Sequence, residues 1–143
     1  MRVWLASQSS RRAEMLAQIF PNITCKGIES VSETSSATDV SGQVLEICQK
    51  KASAVNNATD FDLVVVSDTM LQDPDVDSRA MGKAVDNIEA AAMLHRLSGR
   101  RHRVWSATAA AAARDAAAAL VSSPPPPPSA TAVYFLLLHS SYS

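Results

Sequence analysis

The run Leu63–Val66 is the feature that most limits the folds open to this chain. Its four apolar residues follow one another without the polar alternation of a strand that has one face in water. Continuous runs of this kind are typical of strands covered on both faces, as in sheets with helices on either side. The sequence therefore predicts an α/β fold.

The segment before this run contains a strand, a polar turn and a helix. Arg2–Ala6 reads as a short strand, and an apolar stripe at helical spacing follows the turn, with Ala13 and Leu16 on it. Ser9 or Ser10 is placed to cap this helix. The same patterns predict a helix over about 40–56, a helix over roughly 87–98 that begins after Asp86 and ends at Gly99, and a strand over 102–105.

Length and charge exclude several classes of protein. A chain of 143 residues suits one domain, and a formal net charge of −1 argues against a nucleic acid partner bound by bulk electrostatics. The apolar stretch 132–138 is far shorter than the roughly 20 residues that cross a bilayer, so no membrane span is expected. Cys25 and Cys48 show no metal-type spacing, which favours a reduced, cytoplasmic protein.

The composition changes abruptly after Ser106. Ten of the thirteen residues from 107 to 119 are alanine, and five consecutive prolines occupy 124–128. An alanine run favours helix by propensity, whereas a proline run adopts extended polyproline II. We therefore expect two regions, a region over 1–106 that forms the core and a low-complexity tail over 107–143 that adds little to it.

The turn Ser7–Arg12 has the chemistry of an anion site. It places hydroxyl groups and the unpaired N–H groups of a helix N-terminus beside two guanidinium groups, and this combination favours a phosphate. Arginines at this end of a helix oppose the helix dipole, so helix stability does not explain Arg11 and Arg12. The alternative is a serine-capped surface helix with two solvated arginines.

Two further residues stand out by position. Asp68 is expected just past the buried strand, and ligands and catalytic groups collect at the carboxyl ends of strands in open α/β sheets. A carboxylate there can bind a divalent ion or take a proton from water; the alternative is an aspartate that begins a turn. Lys51 falls on the apolar stripe of the second helix, where a lysine stem can also lie with its amine turned towards water.

In order along the chain, several motifs resemble those of the Maf family of nucleotide pyrophosphatases. They are Leu5-Ala6-Ser7-x-Ser9-x-Arg11-Arg12, Glu33, Lys50-Lys51-Ala52, Val66-Ser67-Asp68-Thr69, Gly82-Lys83 and Leu97-Ser98-Gly99-x-x-His102-x-Val104. The resemblance implies a mixed, twisted central sheet flanked by helices, similar to that of the inosine triphosphate pyrophosphatases. The family's C-terminal pattern has no counterpart here, so we expect the C-terminal part of this fold to be truncated or divergent.

The resemblance implies that residues 1–106 form a nucleotide-binding and catalytic region. It also implies a reaction, the hydrolysis of a nucleoside triphosphate to its monophosphate and pyrophosphate with Mg²⁺ or Mn²⁺. By the same resemblance Asp68 would orient or deprotonate water, and Glu33 would join it at the metal. The residues that would bind the substrate phosphates are Ser7, Arg11, Arg12, Lys51 and Lys83. A homodimer would fit the family.

Two other functions stay open at this stage. The missing C-terminal pattern is compatible with a nucleotide-binding or regulatory protein of the septum-formation inhibitor type that turns substrate over slowly. The run Pro124–Pro128 could instead dock in an aromatic groove of a partner domain.

Ser10 and Ala84 stand where the family usually has proline, and both changes are compatible with the turns.

Overall fold

A computed structural model of the chain describes residues 1–28, 31–56 and 58–112, and the backbone of 134–142. The described residues form six strands and three helices. In chain order they are β1 (Val3–Leu5), α1 (Ser10–Ala17), β2 (Ile23–Cys25), α2 (Val40–Ser53), β3 (Leu63–Gln72), β4 (Ala80–Met81), α3 (Asn87–Leu97), β5 (His102–Ala112) and β6 (Tyr134–Tyr142).

The strands form one mixed sheet in the order β2-β1-β3-β5-β6, with β4 paired to β3 off this path. Strand β1 is parallel to both β2 and β3, whereas β5 is antiparallel to β3 and to β6. Parallel neighbours need a crossover, and α1 and α2 supply the connections on the β1 side. The α/β fold with a mixed sheet and flanking helices is confirmed.

The core lies on both faces of this sheet, as the apolar run in β3 predicts. On one face, Val64 and Val66 belong to a buried cluster that includes Val44 and Cys48 of α2. On the other face, Val65 clusters with Val3 and Leu5, and the first helix packs over them. Because successive side chains of a strand point to opposite faces, a strand between two helices needs apolar residues at every position.

The prediction that Asp68 lies just past the strand is wrong, because β3 continues to Gln72 and contains Asp68. The strand continues because β5 pairs with it along its length, from Leu63↔Ala112 to Leu71↔Val104. Ladder hydrogen bonds do not depend on side-chain polarity, so the change from valines to polar residues does not end the strand.

The alanine run does not start a helix where propensity favours one. Ala107–Ala112 continue β5, and the predicted boundary at residue 106 falls inside this strand. Ala107, Ala109 and Ala111 are all buried, so this segment does contribute to the core, against expectation. Pairing with β3 and β6 on both sides overrides intrinsic helix propensity. The proline run 124–128 lies outside the described residues.

The predicted ends of α3 are confirmed, whereas the predicted serine cap of α1 is not formed. The Asp86 side chain caps α3 by accepting from the Glu89 N–H, and Gly99 has the left-handed φ of 68° that favours glycine after a helix. Ser9 is the N-cap of α1, but its side chain makes no capping bond.

Strand β2 has no counterpart among the sequence predictions. No helix among the described residues is long and apolar enough to span a membrane.

Candidate active site

A cleft of about 530 Å³ lies at the carboxyl end of β1, beside the flank of β3. Strand β1 stops at Leu5, opposite Val65, whereas β3 runs on to Gln72, and this difference in length opens the cleft. It is lined by Ala6, Ser7, Gln8, Ser9, Arg11, Arg12, Gly27, Ile28, Glu33, Lys51, Ser67, Asp68, Thr69 and Lys83. All seven residues predicted for the site are among them, although five separate segments supply them.

The turn between β1 and α1 forms one wall of the cleft. Ser7 is 8% exposed, and its Oγ accepts from the Ser9 N–H at 3.2 Å and from Arg12 Nη1 at 3.2 Å. The Ser7 hydroxyl, and not that of Ser9, therefore satisfies a backbone donor at the start of the helix. Arg12 is held by the turn, so its guanidinium reaches the cleft beside the N–H groups that the first helical turn leaves unpaired.

Strand β3 directs its polar side chains to both faces of the sheet. Val66 faces α2, and Asp68, two positions later, accepts from Lys51 Nζ of that helix at 2.7 Å. Thr69 points to the opposite face, where its Oγ1 accepts from Arg12 Nη2 at 3.1 Å. The cleft therefore extends around the flank of β3, with a carboxylate on the α2 side and an arginine on the α1 side.

Lys51 lies between two carboxylates. Its Nζ is 2.7 Å from Glu33 Oε1 and 2.7 Å from Asp68 Oδ1, and its side chain is 17% exposed. Burial alone would lower the pKa of Lys51, but the hydrogen bonds and charges of Asp68 and Glu33 outweigh it and raise that pKa. The hydrogen bond and charge of Lys51 lower the pKa of Glu33, with a smaller contribution from Lys83. Lys83 is therefore close enough for its charge to act on Glu33.

Helix α2 also fixes the segment that carries Glu33. Glu46 Oε2 accepts from Ser35 Oγ at 2.6 Å and from the Ser36 N–H at 3.0 Å. One turn later, Lys50 Nζ donates to the carbonyl of Thr34 at 2.7 Å and pairs with Glu46 at 2.9 Å. These contacts bring Glu33 over the helix that presents Lys51.

The Glu46 anchor predicts a pH dependence of stability. The hydrogen bond from Ser35, followed by that from Lys50, lowers the pKa of Glu46 from 4.5 to about 2. A carboxylate with a lowered folded-state pKa contributes stability that is present above its unfolded value and is lost as pH falls through the folded value. The advantage of wild type over Glu46→Gln in thermal midpoint should be constant above about pH 5 and disappear between pH 4.5 and 2.

The matched control for this titration is Glu14→Gln, which changes an exposed carboxylate of α1. Its thermal midpoint should follow that of wild type at every pH. A Glu46→Gln difference that is the same at pH 6 and at pH 2.5 would show that the charge of Glu46 does not hold the segment.

The carboxylates of the cleft could hold a divalent cation only if a bound ligand, such as a phosphate, supplied further oxygen atoms to it. Within the part of the chain that the structure describes, no group of three or more His, Cys, Asp and Glu side chains is placed to hold a metal ion. Glu33 and Asp68 nevertheless converge on one point, since both contact Lys51 Nζ. Mg²⁺ at nucleotide sites is commonly held by one or two carboxylates together with substrate phosphates. The two carboxylates fit that arrangement.

The sequence predictions missed the hydroxyl groups that support the site. Thr69 Oγ1 lies 2.9 Å from Ser106 Oγ, and Thr108 Oγ1 donates to Ser67 Oγ at 3.1 Å. In both cases the two residues are cross-strand partners in the β3–β5 ladder. These pairs could be predicted only from the pairing register of β3 and β5, and that register requires the knowledge that β5 continues past Ser106.

The comparison with protein families decides the family. Residues 2–126 match the family model described as "Maf-like protein". The chain belongs to the Maf-like family. The match covers both the cleft and the part of the alanine run that forms β5, which places these residues in the family's own fold.

Curated relatives agree with this assignment. The Maf-like chain is 35% identical over 111 residues to a "dTTP/UTP pyrophosphatase" of Caldanaerobacter subterraneus subsp. tengcongensis, with 76% of the chain and 51% of the relative aligned. It is 36% identical to another of that name from Pyrococcus abyssi, over 70% of the chain and 51% of the relative. The chain thus spans about half the length of these relatives.

The fold is shared with a structure of the Staphylococcus aureus Ham1 protein. The two superpose with a TM-score of 0.50 at 16% sequence identity, over all of this chain and 72% of the other. At this identity the likeness concerns the fold, the mixed sheet with helices on both faces.

Proposed function

We propose that the cleft binds a nucleoside triphosphate and hydrolyses it to the monophosphate and pyrophosphate. One observation carries the proposal: seven residues from five separate segments, all with phosphate-binding, metal-binding or proton-accepting chemistry, line one cleft. Four are cationic and two are carboxylates. The excess of positive charge suits a polyanionic substrate, and the carboxylates suit a cation and a water molecule.

The phosphates would bind along the wall formed by Ser7–Arg12. Helix N-termini favour phosphate through their N–H groups and dipole, and a guanidinium can bind two phosphate oxygens at once. Arg12 is already held by Ser7 and Thr69, so little ordering of its side chain would be needed when a phosphate arrives. Lys51 and Lys83 would neutralise the remaining charge from the other wall.

Asp68 would orient or deprotonate the attacking water. Its Oδ1 faces Lys51, which keeps the carboxylate in place and leaves Oδ2 for a further partner. Phosphoryl transfer depends chiefly on positioning and on neutralising charge. A bound Mg²⁺ or Mn²⁺, held by Glu33, Asp68 and substrate phosphates, would supply further neutralisation of phosphate charge.

The names of the relatives indicate the first substrates to test. Curated relatives that are 33–37% identical to the chain are named "dTTP/UTP pyrophosphatase", so we propose dTTP and UTP as substrates. A homodimer and a cytoplasmic location remain predictions. The test is a pyrophosphate-release assay on the 143-residue chain, with dTTP, UTP and the purine triphosphates in the presence of Mg²⁺ or Mn²⁺.

Calorimetric titration with a non-hydrolysable dTTP analogue separates catalysis from binding. We expect binding together with pyrophosphate release that requires the divalent ion. Binding without release would favour a nucleotide-binding protein with little turnover, since the chain spans about half of its relatives' length. Absence of binding would contradict both functions.

A further inference from the structure

Lys83 reaches the cleft from a segment with little packing of its own. Residues 82–89 are all exposed, and α3, which follows, has no buried residue. Val85 and Ile88 are 87% and 82% exposed. We call residues 82–97 the α3 arm. The interactions that fix its orientation, and with it the position of Lys83, must therefore come largely from outside residues 82–89.

A buried carboxylate contacts both the segment that precedes this arm and the last turn of the arm itself. Asp73, directly after β3, is 2% exposed. Its Oδ2 accepts from Arg79 Nε at 2.7 Å, just before β4 and Lys83. Its Oδ1 accepts from Arg96 Nη2 at 2.9 Å, near the end of α3. The backbone of Asp73 also donates to the Arg79 carbonyl at 2.8 Å.

The carboxylate of the neighbouring ion pairs is more exposed than Asp73. Asp75 pairs with Arg96 Nη2 at 2.8 Å and also with Arg100, and the three side chains are 38–45% exposed. Exposed pairs are screened by water and contribute little, whereas removal of one partner from a buried carboxylate leaves the other uncompensated. The ion pairs of Asp73 with Arg79 and Arg96 are therefore the interactions that orient the α3 arm.

We propose that Asp73 is a positioning residue, which acts through Arg79 and Arg96 to hold the α3 arm so that Lys83 enters the cleft. The inference goes with the proposed function, because it assigns Lys83 a place beside the bound triphosphate. Asp73 itself does not line the cleft. Its effect on nucleotide binding should therefore pass through Lys83.

A double-mutant cycle tests this route. Asp73→Asn should weaken binding of a non-hydrolysable dTTP analogue by about tenfold in the wild-type background, the loss in affinity expected when a hydrogen bond to a charged group is lost. In the Lys83→Ala background the same change should cost less than about twofold, because the contact that it misplaces is already gone. Equal losses in both backgrounds, or no loss in either, would overturn the proposal.

Hydrogen exchange gives a readout that does not depend on nucleotide. Asp73→Asn, and Arg96→Met as a second variant should the first fail to fold, should speed amide exchange in 82–97 by about tenfold or more and leave α2 unchanged. Arg100→Met, which removes only the outer pair, is the control and should resemble wild type. Unchanged exchange in the arm would contradict the proposal, whereas faster exchange in a protein that binds no nucleotide would count against the proposed function alone.

Discussion

Asp68→Asn should lower the rate of pyrophosphate release by about 10²- to 10⁴-fold, the range that a positioned proton acceptor contributes. The substitution keeps the size of the side chain and an oxygen that can still accept from Lys51, but it removes the charge and the ability to take a proton. The Asp68 side chain is 14% exposed, so the cost in stability should be modest. Nucleotide affinity should change much less than turnover.

Asp60→Asn is the matched control for this variant. Asp60 is exposed, lies in the turn before β3 and does not line the cleft. Its pyrophosphate release should equal that of wild type. Steady-state rates measured with dTTP at saturating Mg²⁺ give the comparison, and an Asp68→Asn enzyme within threefold of wild type would remove Asp68 from the mechanism.

Lys51→Met should weaken triphosphate binding by about 10- to 100-fold. A hydrogen bond to a charged group contributes about 1.5–3 kcal/mol, and 1.4 kcal/mol is a factor of ten in affinity. The loss has a second source, because Glu33 and Asp68 both face Lys51, and without its charge the two carboxylates would repel the incoming phosphates more strongly. Calorimetric titration at constant Mg²⁺ measures the change.

Lys26→Met controls for the loss of one positive charge. Lys26 is exposed and does not line the cleft, so its affinity for nucleotide should stay within about twofold of wild type. If Lys51→Met also bound the nucleotide as tightly as wild type, Lys51 would only neutralise the two carboxylates and would not contact substrate.

The sequence alone was sufficient to predict the centre of the fold. The apolar run Leu63–Val66 predicted a strand covered on both faces, and clusters on both faces of β3 confirm it. Local signals also located the helices, since apolar spacing and caps such as Asp86 act within a few residues. These features depend on short-range chemistry, so they can be inferred without the pairing of strands.

The elements that were missed depend on pairing. Ala107–Ala112 form a strand because β3 and β6 flank them, and no local property of an alanine run indicates this. For the same reason Asp68 was placed at a strand end. The short strand β2 carries a single partly buried and two exposed residues, so it lacks the alternation by which half-buried strands are recognised.

The candidate site, like the fold, was predicted only in part. The residue types in Ser7–Arg12 and at Asp68 were sufficient to predict phosphate binding and proton transfer, and the order of the motifs along the chain was sufficient to predict the family. The sequence could not show that Lys51 bridges Glu33 and Asp68, or that Thr69 holds Arg12 from across the sheet. Both depend on Asp68 and Thr69 being consecutive residues of one strand, with opposite faces.

The most direct test of the central claim is phosphorus NMR of dTTP incubated with the chain and Mg²⁺ or Mn²⁺. The cleft should cleave between the α and β phosphates, so the spectrum should gain the resonances of pyrophosphate and dTMP in equal amounts. Formation of dTDP and inorganic phosphate would contradict the assigned reaction. A spectrum that stays that of dTTP, together with no calorimetric binding of the analogue, would contradict the assignment of the cleft itself.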